Sequence, residues 1–199
     1  YFGSPYYSCN VLQSILDSKF NVTSVVSQKT TYRRRNKKKD TAITLFANDK
    51  KLRVFTPDCL SDKNFLKDIE IQNPDFFVLF SYGKILKSDL LKIPKYASIN
   101  IHCSLLPHWR GGAPIQRALL NGDKKTGVTF FAIDGSLDHG KIIKSFEYLI
   151  KSNDNAITLQ DKLSSIAAEN IEDIIRSYSK SNLFTQNEER ATYAKKVQK

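Results

Sequence analysis

Short apolar runs alternate with amphipathic stretches along the chain, and this alternation predicts an α/β fold with a largely parallel sheet. The runs at 1–2, 22–27, 53–55, 76–81, 97–102 and 128–133 read as strands. Phe76-Phe77-Val78-Leu79-Phe80 is apolar without alternation, as a central strand covered on both faces requires. Helical spacing predicts helices at 8–18, 61–72, 116–121 and 156–178. In the last of these, Leu159, Leu163, Ile166, Ile171, Ile174, Ile175 and Tyr178 form one apolar stripe. Thr158 and Asp161 resemble a capping box and would mark where that helix begins. Beyond Tyr178 the texture changes: 179–199 is polar and charged with few apolar anchors, and reads as a surface strand or linker.

At 199 residues the chain fits one domain, large enough to bury a core without metal or disulfide staples. No apolar run approaches the ~20 residues needed to cross a bilayer, which argues against a membrane role. The opening Tyr1-Phe2-Gly3-Ser4-Pro5 reads as a strand entering a turn rather than a secretory leader. A strand starting there is expected to have lost residues before Tyr1, and the lack of methionine fits a missing initiator. Cys9, Cys59 and Cys103 are too few and too irregular for a disulfide framework or a metal site, so a reducing compartment and no metal are expected. Gly3-Ser4-Pro5 sits where a first strand would meet a first helix, but it is not a dinucleotide fingerprint, and no phosphate loop occurs elsewhere.

The net charge is +11, and its distribution matters more than its size. Arg33, Arg34, Arg35, Lys37, Lys38 and Lys39 lie within seven residues; removing those six from the 31 basic residues leaves 25 against 20 acidic, or +5. The run is either a solvated loop or a flexible basic arm for a polyanion, most simply nucleic acid phosphates.

The candidate chemistry lies in Asn100-Ile101-His102 and in the later Asp138. Residues i and i+2 of a strand project to one face, so an amide and an imidazole can reach the same ligand atom. Asn100 offers uncharged N–H donors for an oxygen that becomes negative, and His102 can donate to that oxygen or protonate a departing nitrogen. A carboxylate at Asp138 could orient the imidazole and receive protons through water. Such a set suits acyl transfer to an amine without a metal or a covalent nucleophile. Cys103 beside His102 invites a nucleophile reading, but adjacent strand residues face opposite ways, so a packed thiol is expected. Taken singly, a strand histidine is more often packed, an Asp in such a loop more often a turn former, and an Asn more often a backbone partner.

Asn100-Ile101-His102-Cys103-Ser104-Leu105-Leu106-Pro107, with Leu137-Asp138-His139-Gly140 downstream, resembles the signature of the folate-dependent formyltransferases. Trp109-Arg110-Gly111-Gly112-Ala113-Pro114-Ile115-Gln116, Gly122-Asp123 and Thr126-Gly127-Val128-Thr129 bring it nearer the methionyl-tRNA branch than the purine-synthesis or nucleotide-sugar branches. Gly3-Ser4-Pro5, Ser81-Tyr82-Gly83, Ile85-Leu86 and Thr192-Tyr193-Ala194-Lys195-Lys196 add to the likeness. The resemblance implies a Rossmann-like open, twisted, mainly parallel sheet with helices on both faces. It also implies a catalytic domain over 1–180, with 181–199 as a linker into a C-terminal barrel domain not contained in the chain. Asn100, His102 and Asp138 match the catalytic trio. Ser104, Leu105, Leu106 and Pro107 match a folate-binding turn, while Tyr82, Gly83, Asp134 and Gly135 match loops that offer backbone hydrogen bonds to the pterin. Arg33, Arg34, Arg35, Lys37, Lys38 and Lys39 fall where the family inserts a mobile loop toward the tRNA acceptor end, with Arg35 the foremost contact. His108, His139 and Cys103 depart from the usual pattern without touching the trio.

The activity implied by this resemblance is transfer of a formyl group from 10-formyltetrahydrofolate to the α-amino group of initiator methionyl-tRNA. The expected protein is a monomer in a bacterial cytoplasm, with an organelle as the other compartment. A formyltransferase acting on a small amine such as an amino-sugar nucleotide is the second reading. A non-enzymatic RNA-binding module is the third, disfavoured because no aromatic residues interleave the basic run.

Overall fold

The computed structural model describes residues 1–29, 31–33 and 37–197. In chain order its first half comprises β1 (Phe2–Gly3), α1 (Ser8–Asp17), β2 (Val25–Val26), β3 (Thr31–Arg33), β4 (Lys37–Lys39), α2 (Ala42–Asp49), β5 (Val54–Phe55), α3 (Lys63–Glu70) and β6 (Phe76–Phe80). The second half comprises α4 (Ser88–Leu91), β7 (Ala97–His102), β8 (Arg110–Gly111), α5 (Pro114–Asn121), β9 (Lys125–Ala132), β10 (Ile142–Leu149), α6 (Ala156–Ser177) and β11 (Tyr193–Ala194). No helix among the described residues is long and apolar enough to cross a membrane.

Seven strands form one sheet in the order β10-β9-β7-β6-β1-β2-β5. The pairs from β7 through β6, β1 and β2 to β5 are all parallel. β9 runs antiparallel to β7, and β10 antiparallel to β9. The expected open, mainly parallel sheet with helices on both faces is therefore what forms. Val78, Phe80, Ile99 and Ile101 turn to one face and pack with Leu159, Leu163, Ala167, Ile171 and Ile174 of α6 and Val11 and Ile15 of α1. Phe77 and Leu79 turn to the other, where Phe65 and Ile69 of α3 and Leu90 of α4 cover them. Burying both faces explains why β6 carries no polar alternation.

Several local expectations need correction. The start of α6 is set by Asn155, whose side chain accepts from the Thr158 N–H while the Thr158 hydroxyl accepts from the Asn155 N–H; the box is one turn earlier than Thr158 and Asp161 suggest. β10 and α2 had no counterpart in the predicted elements. β10 hides its period because the register shifts between Ile142 and Lys144. Helix α2 begins at a Thr41 cap that accepts from the Thr44 N–H. The basic run, expected as a loop, forms part of an antiparallel pair in which Arg33 lies opposite Lys37 and Thr31 opposite Lys39. Arg34 and Arg35 lie outside the described residues.

The segment after α6, expected as a surface strand or linker, packs back on the domain. Phe184 bridges to Ile142, and β11 pairs in parallel with β8. Gln186 and Ala194 are buried there.

Candidate active site

The end of β7 carries Asn100 and His102 on the same face, as the two-residue spacing requires. The loop between β9 and β10 brings Asp138 to them. Asn100 Nδ2 donates to Asp138 Oδ1 at 3.4 Å, and His102 Nδ1 lies 3.7 Å from Asp138 Oδ2. The three residues expected as a trio thus meet, and all three line one cavity of about 590 Å³.

Backbone groups hold each member. Asp138 Oδ2 accepts the Gly111 N–H at 2.8 Å, and Asp138 itself has φ +49. Asp tolerates this left-handed geometry better than most residues. His102 Nε2 lies 2.8 Å from the Trp109 carbonyl, so that nitrogen carries a proton and donates. The other ring nitrogen faces the carboxylate and the cavity.

The cavity has two side walls. One is the loop after β6, where Ser81, Tyr82, Gly83, Lys84, Ile85 and Leu86 line it. The other is the segment after β9, where Ile133, Gly135, Ser136, Leu137 and Asp138 do so. Leu79 and Phe131 give it an apolar floor beside Asn100. Tyr7, Ile115, Gln116, Gln160 and Lys196 also reach it, and none of these was singled out as a site residue in the sequence. The Tyr82 hydroxyl is buried beneath the loop without a hydrogen-bond partner among the described residues, and burial pushes its pKa up to about 12.

The predicted folate-contacting residues divide. Tyr82, Gly83 and Gly135 line the cavity; Asp134, between the lining Ile133 and Gly135, does not, and it accepts from the Ser136 N–H at 2.9 Å and pairs with His139 Nδ1 at 2.5 Å. Ser104, Leu105, Leu106 and Pro107 do not line it. Ser104 Oγ donates to the His108 carbonyl at 2.5 Å, and the Leu106 N–H donates to Thr129 Oγ1 at 3.1 Å. The Pro107 carbonyl accepts the Thr192 N–H at 3.2 Å. Those bonds tie the segment to β9 and to the C-terminal tail directly after His102. Of the six expected tRNA contacts, Arg34 and Arg35 fall outside the described residues; Arg33 lies on β3 and Lys37, Lys38 and Lys39 on β4.

Cys103 is buried among Ile99, Ile101 and Ile115, and burial pushes its thiol up to about 12. It packs on the face opposite His102 and is no nucleophile near neutral pH. Among the described residues no group of three or more His, Cys, Asp or Glu side chains is arranged to hold a metal ion.

A polar network beyond the cavity was invisible in the sequence. Arg110, 1% exposed, forks onto Glu188 with bonds of 2.7 and 2.9 Å. His139 Nε2 lies 3.4 Å from the same carboxylate. The Arg110 hydrogen bond holds the Glu188 carboxyl below its ordinary pKa. Burial alone would raise the Asp134 carboxyl, but hydrogen bonds from His139 and the Ser136 N–H outweigh it and keep that pKa low.

Residues 2–175 match the formyl transferase family. Methionyl-tRNA formyltransferase of Wolbachia sp. is 38% identical over 199 residues, the whole chain and 67% of that protein. The enzyme of the same name from Thermodesulfovibrio yellowstonii is 41% identical over 170 residues, 85% of the chain and 55% of the relative. The chain thus spans about half to two thirds of the curated relatives it matches. Phosphoribosylglycinamide formyltransferase from Bacillus halodurans superposes with a TM-score of 0.75 at 21% identity, covering 89% of this chain and 92% of that one. An N-formyltransferase from Helicobacter canadensis, solved with folinic acid and dTDP-3-aminofucose, gives a TM-score of 0.71 at 22% identity over 96% of this chain and 68% of that one. The chain therefore belongs to the formyl transferase family, in the branch whose curated members are named methionyl-tRNA formyltransferase.

Proposed function

We propose that the protein transfers the formyl group of 10-formyltetrahydrofolate to the α-amino group of initiator methionyl-tRNA. The observation that carries this reading is the meeting of Asn100, His102 and Asp138 at one cavity. The cavity suits a flat, partly polar ring. Leu79, Leu86, Phe131 and Ile133 supply apolar walls, and loop backbone supplies polar groups at the rim.

In the proposed reaction the amine nitrogen forms a bond to the formyl carbon, whose oxygen takes the negative charge. Asn100 Nδ2 and the cavity-facing nitrogen of His102 donate to that oxygen. Asp138 accepts the proton lost by the amine, directly or through water. His102 gives a proton to the donor's nitrogen as its bond to the formyl carbon breaks, and the proton taken up by Asp138 passes to His102, which faces it at 3.7 Å, so both groups return to their starting states. None of these roles requires a thiol, which fits the inert environment of Cys103.

The tRNA half of the proposal rests on the names of the relatives and on the six basic residues within 33–39. On this reading the protein works where translation is initiated, in a bacterial cytoplasm. The test is incubation with 10-formyltetrahydrofolate and charged initiator tRNA across a salt series. Formyl-methionyl-tRNA should accumulate, and kcat/KM should fall steeply as salt rises, because phosphate contacts release counterions. Transfer to a small amino-sugar nucleotide with little salt slope, and none to tRNA, would overturn the assignment of the acceptor.

A further inference from the structure

The family match ends at residue 175, yet two groups that hold Asp138 both depend on residues beyond it. The first is Gln186, 5% exposed. Its Nε2 donates to the Asp138 carbonyl at 2.9 Å and to the Gly140 carbonyl at 2.8 Å. Its Oε1 accepts from Arg110 Nε at 3.0 Å and Nη2 at 2.8 Å. Both amide hydrogens and both oxygen lone pairs are therefore used. A guanidinium only donates, so Arg110 compels the amide oxygen to face it and the amide nitrogen to face the loop. Glu188 holds Arg110 in turn through its two-bond fork.

The second group is Gly111, whose N–H donates to the Asp138 carboxylate. Strand β11 pairs with this segment: the Arg110 N–H donates to the Thr192 carbonyl at 2.8 Å and the Gly112 N–H to the Ala194 carbonyl at 3.0 Å. One stretch of tail, 186–194, thus sets Asp138 from its backbone side and from its carboxylate side.

We propose that Gln186 is a positioning residue for Asp138, oriented by Arg110 and Glu188, and that the tail is part of the catalytic apparatus rather than a connector. This inference rests on the proposed formyl transfer for its kinetic consequence, but not for its structural one. Gln186→Glu is the informative variant: it keeps acceptors for Arg110 and loses the donors to the loop. Gln186→Met, of similar size and without either function, is the second variant should the charged one fail to fold.

The experiment is a double-mutant cycle with Asp138→Asn, read as kcat and KM for the formyl donor. Displacing an acid by about 1 Å costs roughly 10- to 100-fold in rate, so Gln186→Glu should lower kcat by that much with donor KM nearly unchanged. In the Asp138→Asn background the same change should lower kcat by less than about threefold, because the residue it positions has already lost its charge. Equal losses in both backgrounds, or an unchanged kcat, would overturn the proposal. The amide ¹H–¹⁵N signal of Gly111 gives a readout independent of turnover: either variant should move it upfield as its bond to Asp138 weakens. An unmoved Gly111 signal overturns the positioning role. A wild-type protein that transfers no formyl group overturns the functional reading instead, and the Gly111 signal still decides the role of Gln186.

Discussion

The loop after β6 and the loop between β9 and β10 flank the cavity, and a glutamine amide fastens each. Gln28 Nε2 donates to the Tyr82 carbonyl at 2.5 Å, as Gln186 does to Asp138 and Gly140. Beneath the first loop lies core: Tyr82 and Leu86 are each 3% exposed and pack with Phe2, Leu60 and Phe65. Beneath the second lies the Arg110, Glu188, His139 and Asp134 network, and Leu137 at its tip is 51% exposed. The apolar foundation tolerates small displacements and suits a wall that only binds. The polar one depends on distance and ionisation, and it holds the wall that carries the acid.

Alanine at one glycine in each wall separates these roles most sharply. A Cβ on Gly140 would lie 1.8 Å from the Ala132 carbonyl oxygen, a backbone atom that cannot move away, so the loop must shift and carry Asp138 with it. Gly140→Ala should lower kcat about 100-fold or more. A Cβ on Gly83 would meet the end of the Gln28 side chain at 2.6 Å, which can swing aside by giving up its bond to the Tyr82 carbonyl, and the residue would carry the strain of φ +82. At about 1–2 kcal/mol that strain should raise donor KM several-fold while kcat holds. Steady-state kinetics of both variants checks this, and equal kcat losses would erase the distinction between the walls.

A smaller effect concerns pH. The Arg110 hydrogen bond keeps the folded Glu188 carboxyl below its ordinary 4.5. A depressed carboxyl stabilises the fold above the ordinary value, and that contribution is lost as pH falls through the folded one. The melting temperature of the wild type should therefore exceed that of Glu188→Gln near neutrality, with the gap narrowing below pH 4.5. A gap independent of pH would mean that the charge of Glu188 does not secure this wall.

The wall after β6 and the floor of the cavity were largely legible in the sequence. The unbroken apolar run of β6 announces a doubly covered strand, and the spacing of Asn100 and His102 puts both on one face. The polar wall was legible only in Asp134, Gly135 and Asp138. Gln186 and Glu188 sit in a stretch without periodicity, and no local signal links them to Arg110, 76 and 78 positions away. Two-residue strands such as β8 and β11 leave no periodic trace, so their pairing exists only in three dimensions. The turn at Ser104, Leu105, Leu106 and Pro107 is tied by hydrogen bonds to Thr129, His108 and Thr192, partners that no local pattern names.

Single-turnover formyl transfer by Asn100→Ala tests most directly whether an amide and an imidazole act together on one carbonyl. Losing one oxyanion donor should slow the chemical step by about 10²–10³, with folding and donor binding retained. A rate near that of the wild type would remove Asn100 from the reaction and contradict the proposed use of the site.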